Sequence, residues 1–250
     1  MTTPRILCLH GGGSNDDITQ FQTGGLRLTH RAECLFLNAP HVVNYCYPGL
    51  SKFSKGPWRV WAPTKGMMFS NHQDQWDESL EYIAKFCEEN GPFDGVYGFS
   101  QGTAIITNFS HPSIWKDRFQ MKQCPWKFAI LACGGASFQV NIAKGDAPCI
   151  NMPSFHIFGR RDMHFNDSNA IAEYWDPSQK MTHTHARGHE IDLLMWTRET
   201  ELINKLNHFL DEQLPSEKYS AVGGDEKKEE AEEEGVLTEQ DEGSYSGSSL

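Results

Sequence analysis

A chain of 250 residues, 38% hydrophobic and 22% charged, holds enough apolar material for one α/β domain and would be cramped as two. Of its formal charge of −11, −8 falls in residues 215–250 and only −3 in residues 1–214. The folded part therefore lacks the basic surface that a nucleic-acid partner requires.

Seven scattered cysteines without CxxC spacing imply no disulfide framework, and point to a reducing, cytoplasmic setting. The apolar run Ile6–Leu9 is too short for a signal peptide, and nothing later approaches a membrane span. The sequence therefore predicts a protein that does not act at a membrane.

In chain order, Arg5–Leu9 reads as a buried parallel strand, broken by the glycine loop His10-Gly11-Gly12-Gly13. Cys34–Leu37 reads as a second strand, ended by Asn38-Ala39-Pro40. From His41 to Asn71 periodicity is lost, and Tyr45, Tyr47, Phe53, Trp58, Trp61 and Phe69 are scattered among prolines, glycines and lysines. Helical spacing of Trp76, Leu80, Ile83 and Cys87 predicts a helix over 74–89, closed by Asn90-Gly91-Pro92.

Strands follow at 94–99, 128–132, 155–158 and 181–185, with helices at 101–109 and 166–174. Leu202, Leu206, Phe209 and Leu210 mark a closing amphipathic helix. Strands alternating with helices predict a mostly parallel sheet covered on both faces, a three-layer α/β domain over residues 1–214. The Glu/Lys/Gly/Ser-rich segment 215–250 is expected to form an acidic, disordered tail.

Gly98-Phe99-Ser100-Gln101-Gly102 matches the Gly-x-Ser-x-Gly elbow, and its context matters more than the pattern. It follows an apolar strand and opens a helix whose first turn is small. Such a turn exposes the serine hydroxyl and aims a helix N-terminus at a developing oxyanion. Ser100 is thus the candidate nucleophile. The N–H groups of Gln101 and, from the glycine loop, Gly12 are the candidate oxyanion donors.

The acid of such a triad belongs at the end of a later strand. Asp162 lies there, in Gly159-Arg160-Arg161-Asp162; Asp167 competes but is explained by capping the next helix. Among His183, His185 and His189, the first two alternate on one face of a strand. His189 follows Gly188 in the loop beyond, free to reach Ser100, and is the candidate base. Zinc bound by the three histidines would lack a patterned carboxylate and leave the elbow unexplained, so no metal or cofactor is expected.

Taken in order, Ile6 to Gly11, Asn38-Ala39-Pro40, Gly95 to Gly102, Gly159 to Asp162 and Gly188-His189-Glu190 resemble a fungal family of serine hydrolases. That family includes the polyketide-releasing thioesterase of the lovastatin pathway. The resemblance spans roughly residues 4–213; Gly12-Gly13 departs from its bulkier residues, and the acidic tail lies outside its pattern. It implies the α/β-hydrolase fold and the same Asp162/His189 pair.

The expected activity is hydrolysis of a small-molecule ester or thioester, carrier-bound thioesters and polyketide release included, through an acyl-enzyme. Trp58 and Trp61 are expected to shape the acyl pocket. An acyltransferase, a metal-dependent hydrolase and a non-catalytic binding module are the competing readings.

Overall fold

The computed structural model describes residues 3–63, 72–142 and 149–214. The acidic segment 215–250 and Phe69 of the aromatic-rich stretch lie outside these residues. Chain order is β1 (Arg5–Leu9), α1 (Asp16–Gly25), β2 (Glu33–Leu37), β3 (His41–Val43), β4 (Trp58–Val60), α2 (His72–Asn90) and β5 (Gly95–Phe99). It continues with α3 (Gln101–Ser110), β6 (Phe128–Ala132), β7 (Ser154–Gly159), α4 (Phe165–Ala172), β8 (Lys180–His185), α5 (Met195–Arg198) and α6 (Thr200–Gln213).

Six strands form one parallel sheet in the order β2-β1-β5-β6-β7-β8. Strand alternation divides its side chains between two cores. Leu7, Leu9, Val96 and Leu131 pack with Leu80 and Ile83 of α2, Ile105 and Phe109 of α3, and Ile171 of α4. Ile6, Tyr97, Ile130, Phe155 and Ile157 pack with Leu202, Leu206 and Phe209 of α6 on the opposite face. Strands buried on both sides must be apolar throughout, which is why they read as unbroken runs.

The aromatic-rich stretch contains a short antiparallel pair that periodicity did not reveal. His41 pairs with Val60 and Val43 with Trp58, strands of three residues each, too short to show a period. The α1 helix also escapes the apolar pattern, because much of its buried face is polar: Thr19, Gln22 and Thr23 lie beside Ile18. The hydroxyls of Thr19 and Thr23 donate to the carbonyls of Asn15 and Thr19, and Asn15 caps the helix by accepting from Ile18 N–H. Among the described residues, no helix is long and apolar enough to cross a membrane.

Two strand ends decide where chemistry can occur. The chain leaves β1 for β2 on one side and returns to β5 on the other, so the carboxyl ends of β1 and β5 flank a switch in strand order. The crevice there receives both the His10–Gly13 loop and the Ser100 turn.

Buried histidines give the fold an acid limit. Burial pushes the imidazole of His10 down to about 4 and that of His156 to about 3, so both are neutral in the folded chain. The unfolded chain binds these protons near pH 6.5, so folding stability is complete above that pH and falls as pH drops toward 4. Each histidine is expected to cost about 1–2 kcal/mol of stability between pH 7 and pH 5. Urea unfolding at the two pH values checks this: His156→Phe should flatten the slope, whatever it does to absolute stability.

Candidate active site

Ser100 sits between β5 and α3 with φ 52° and ψ −118°, in the positive-φ region that costs a non-glycine residue about 1–3 kcal/mol. The surroundings hold it there. Its N–H donates to Ala132 O at 3.0 Å, and its carbonyl accepts from Thr103 N–H (3.0 Å), Thr103 Oγ1 (2.6 Å) and Gly135 N–H (3.2 Å). Close approach makes glycine necessary at 102, where a Cβ would lie 2.6 Å from Leu9 O and 2.8 Å from His10 O. The loop after β6 must pass under the serine, and a Cβ at Gly135 would fall 2.9 Å from Ser100 Oγ.

His189 Nε2 lies 2.9 Å from Ser100 Oγ, and His189 Nδ1 lies 2.8 Å from Asp162 Oδ2. An ionised carboxylate only accepts, so Nδ1 carries the proton and Nε2 accepts from the serine hydroxyl. Asp162 is buried, with its other oxygen accepting from His164 N–H at 2.8 Å. Burial alone would raise its pKa. The hydrogen bonds from His189 and His164 outweigh that and hold it below the ordinary carboxylate value.

The two loops that carry this pair are joined by backbone contacts. Arg160 N–H donates to His185 O, Arg161 N–H to Arg187 O, and Arg161 Nε to Ala186 O. Three rings surround the His189 imidazole: Phe99 at 5.0 Å, Tyr47 at 5.4 Å and His164 at 4.9 Å between centroids.

Asp167 stands apart from His189. It lies in the first turn of α4 and accepts from Ser137 N–H and Oγ and from His164 Nδ1. His183 and His185 are buried on one face of β8, as their alternation requires, and neither joins Ser100.

Gly12 and Gln101 meet beside the serine: a Cβ at Gly12 would lie 3.1 Å from Gln101 Oε1. Among the described residues, neither backbone N–H is engaged by another group. The Gln101 side chain accepts from Trp61 N–H at 3.0 Å and donates to Ala62 O and to Gln139 Oε1.

Ser100 and His189 open into a cavity of about 630 Å³. Its apolar wall comes from Ile18 and Phe21 of α1, Leu50 and Phe53, and Ile191, Leu193 and Leu194. The tryptophans expected in this wall are elsewhere. Trp61 is fully buried, its ring 5.3 Å from His10 and its indole N–H donating to His10 O at 2.8 Å. Trp58 is half-buried in β4 and does not line the cavity. Aromatic content drew attention to the right stretch but to the wrong rings. The wall instead uses Leu50 and Phe53 of that stretch, with residues 191–194, whose apolar character carries no period.

Residues 1–192 match the family described as Serine hydrolase (FSH1). The chain belongs to the FSH1 serine hydrolase family. It is similar to the esterase FPY3 of Fusarium mangiferae, 31% identical over 204 residues, covering 75% of this chain and 88% of that one. It is also similar to the esterase C25G4.2 of Caenorhabditis elegans, 30% identical over 224 residues, covering 84% and 94%.

Among solved structures, a Bacillus cereus carboxylesterase superposes with a TM-score of 0.52 at 15% identity, covering 85% of this chain and 89% of that one. Acyl-protein thioesterase 2 of Zea mays gives 0.50 at 18%, covering 84% and 95%. The fold is that of the α/β-hydrolases, and this FSH1 serine hydrolase is an enzyme.

The packing of Gly102 against two carbonyls gives a direct check. Gly102→Ala should lower the unfolding free energy of the serine hydrolase by about 1–3 kcal/mol, because backbone must shift to admit the methyl group. Chemical denaturation measures it.

Proposed function

We propose that this serine hydrolase cleaves carboxylic esters of apolar acyl groups through an acyl-enzyme on Ser100. The observation that carries the reading is the unbroken chain Ser100 Oγ–His189–Asp162 at 2.9 and 2.8 Å, opening directly into an apolar cavity.

His189 Nε2 takes the hydroxyl proton as Ser100 Oγ attacks the carbonyl carbon. The Gly12 and Gln101 N–H groups hold the resulting oxyanion. Asp162 keeps the proton on Nδ1 and stabilises the imidazolium that forms. As the tetrahedral species collapses, His189 returns the proton to the leaving oxygen and the alcohol departs. Water, deprotonated by the same nitrogen, then attacks the acyl-serine; its collapse releases the acid and restores the serine hydroxyl.

A thioester presents the same electrophilic carbon, and we include acyl thioesters, carrier-bound ones and polyketide release among them, in the substrate range. The cavity lining is mostly apolar, with Lys52, Glu190 and Asp192 its charged members. The acidic side chains in the wall, Glu190 and Asp192, are paired with Arg187 at 2.8 and 2.9 Å, and Asp192 also with Arg198 at 3.1 Å. We assign the chemistry to residues 1–214 and take 215–250 as an acidic tail outside it. A cytoplasmic location suits seven cysteines that stand as free thiols.

Ser100→Ala should lower kcat by about 10⁴-fold or more and abolish labelling by a fluorophosphonate. Near-normal turnover in this variant would refute the assignment. Phe53→Ala and Leu193→Ala should reduce kcat/KM for an ester of about eight acyl carbons several-fold more than for the acetate, since each desolvated methylene is worth about 0.8 kcal/mol. Equal losses on both esters would remove these residues from the acyl wall.

A further inference from the structure

We propose that His10 is a positioning residue that fixes the orientation of the Gly12 N–H as an oxyanion donor. The inference rests on the reading of Ser100 as nucleophile and deepens it by naming what sets the oxyanion geometry.

His10 is fully buried at the end of β1, touches no part of the apolar cavity, and has no place in the proton transfers described above. Its hydrogen bonds nevertheless define one protonation state. Ala39 N–H donates to His10 Nε2 at 2.9 Å, so that nitrogen bears a lone pair. The proton of the neutral ring must then reside on Nδ1, which lies 2.6 Å from Gly11 O and donates to it. Burial keeps the ring neutral by pushing its pKa down to about 4, so the acceptor at Nε2 persists through the neutral range.

The bond to Gly11 O orients a whole peptide unit. The Gly11–Gly12 peptide is planar and trans, so its carbonyl and its N–H point in opposite directions. Drawing the carbonyl toward His10 turns the Gly12 N–H away from the imidazole. Both glycines lie against the Ser100 turn: an added Cβ at Gly11 would lie 3.1 Å from Ser100 Cβ, and one at Gly12 would lie 3.1 Å from Gln101 Oε1.

With two glycines in succession the peptide has no side chain to set its rotation, so an external hydrogen bond must do so. His10 O is itself held by the Trp61 indole at 2.8 Å, which limits movement of the histidine backbone. The buried imidazole thus anchors the second strand's exit at Ala39 on one edge and the oxyanion peptide on the other.

Two carboxamide variants separate the two bonds. Asn places its amide nitrogen where Nδ1 lies, and Gln places its terminal group where Nε2 lies. His10→Gln, which loses the bond to Gly11 O, should lower kcat on the order of 10²-fold with KM nearly unchanged, since one oxyanion donor is worth about 10²–10³. His10→Asn, which retains that bond, should recover at least ten-fold of the loss.

Equal kcat for the Gln variant and the wild type, with Ser100→Ala inactive, would overturn the role of His10 and leave the triad reading standing. Turnover in Ser100→Ala would overturn both. A measurement on the unmutated protein is independent of folding defects. Long-range ¹H–¹⁵N correlation spectra of histidine-labelled enzyme should show His10 as the neutral Nδ1–H tautomer between pH 6 and pH 8. The Nε2–H tautomer, or an averaged exchanging ring, would overturn the proposal.

Discussion

Parallel pairing of β1 with β5 is the constraint from which the site follows. Leu9 lies opposite Gly98 in that pair, so the chain leaves both strands at the same height on the same edge of the sheet. The first exit becomes the His10–Gly13 loop and the second the Ser100 turn, and the two are pressed together until Gly102 meets the carbonyls of Leu9 and His10. Groups that stabilise developing charge must be held within about half an ångström of their working positions. Neighbouring strands of one sheet bring the two exits together, and contacts from Ala39 and Trp61 hold the first of them in place.

The remaining members of the site come from farther along the same edge, and their separation creates a packing problem. β6 lies between β5 and β7, so its exit must cross the gap between Ser100 and Asp162 without filling it. Gly134-Gly135 solves this by presenting backbone where a side chain would strike Ser100 Oγ, and Gly135 N–H is used to hold the Ser100 carbonyl. On the far side, β7 and β8 are adjacent, and the hydrogen bonds between residues 160–161 and 185–187 join the loops that present Asp162 and His189. The exposed ion pairs of Arg187 contribute little to stability, since such pairs are worth about 0–1 kcal/mol. Their effect is to remove net charge from the acidic part of the cavity wall.

How much of this was legible in the sequence depends on whether a residue's role is local. Ser100 and Asp162 follow strands buried along their whole length and His189 follows a strand of alternating burial, and each stands in a turn with its own glycine, so pattern and chain order single them out as candidates. The paired strands β3 and β4 have no period to read, because three residues in a hairpin sample barely one repeat. α1 was hidden because Thr19, Gln22 and Thr23 are buried as polar residues, the two threonines bonded back into their own helix. The same reason explains the tryptophans. A ring's burial is set by what folds over it, and Trp61 is covered by contacts to residues 10, 79 and 101 that are remote in sequence. His10 looked like the first residue of a glycine loop; only its two ring partners, one residue and 29 residues away, reveal it as a pin.

The two halves of the site are built from different materials, and this has consequences for how the enzyme could change. On the side where charge would develop, the contacts are backbone N–H groups and buried side chains: Gly12, Gln101, His10 and Thr103. A substitution there either clashes with backbone or leaves a buried polar group unpaired, which costs about 1–3 kcal/mol. On the cavity side the wall consists of side chains from α1 and two surface segments, with Phe53 59% exposed and Leu193 and Leu194 nearly half exposed. Exchanging one apolar residue for another there alters cavity shape while burying little new surface and breaking no hydrogen bond. On the proposed reading, selectivity for the acyl group would therefore drift by substitution at residues 50–53 and 191–194, while the geometry around Ser100 is held in place by the sheet.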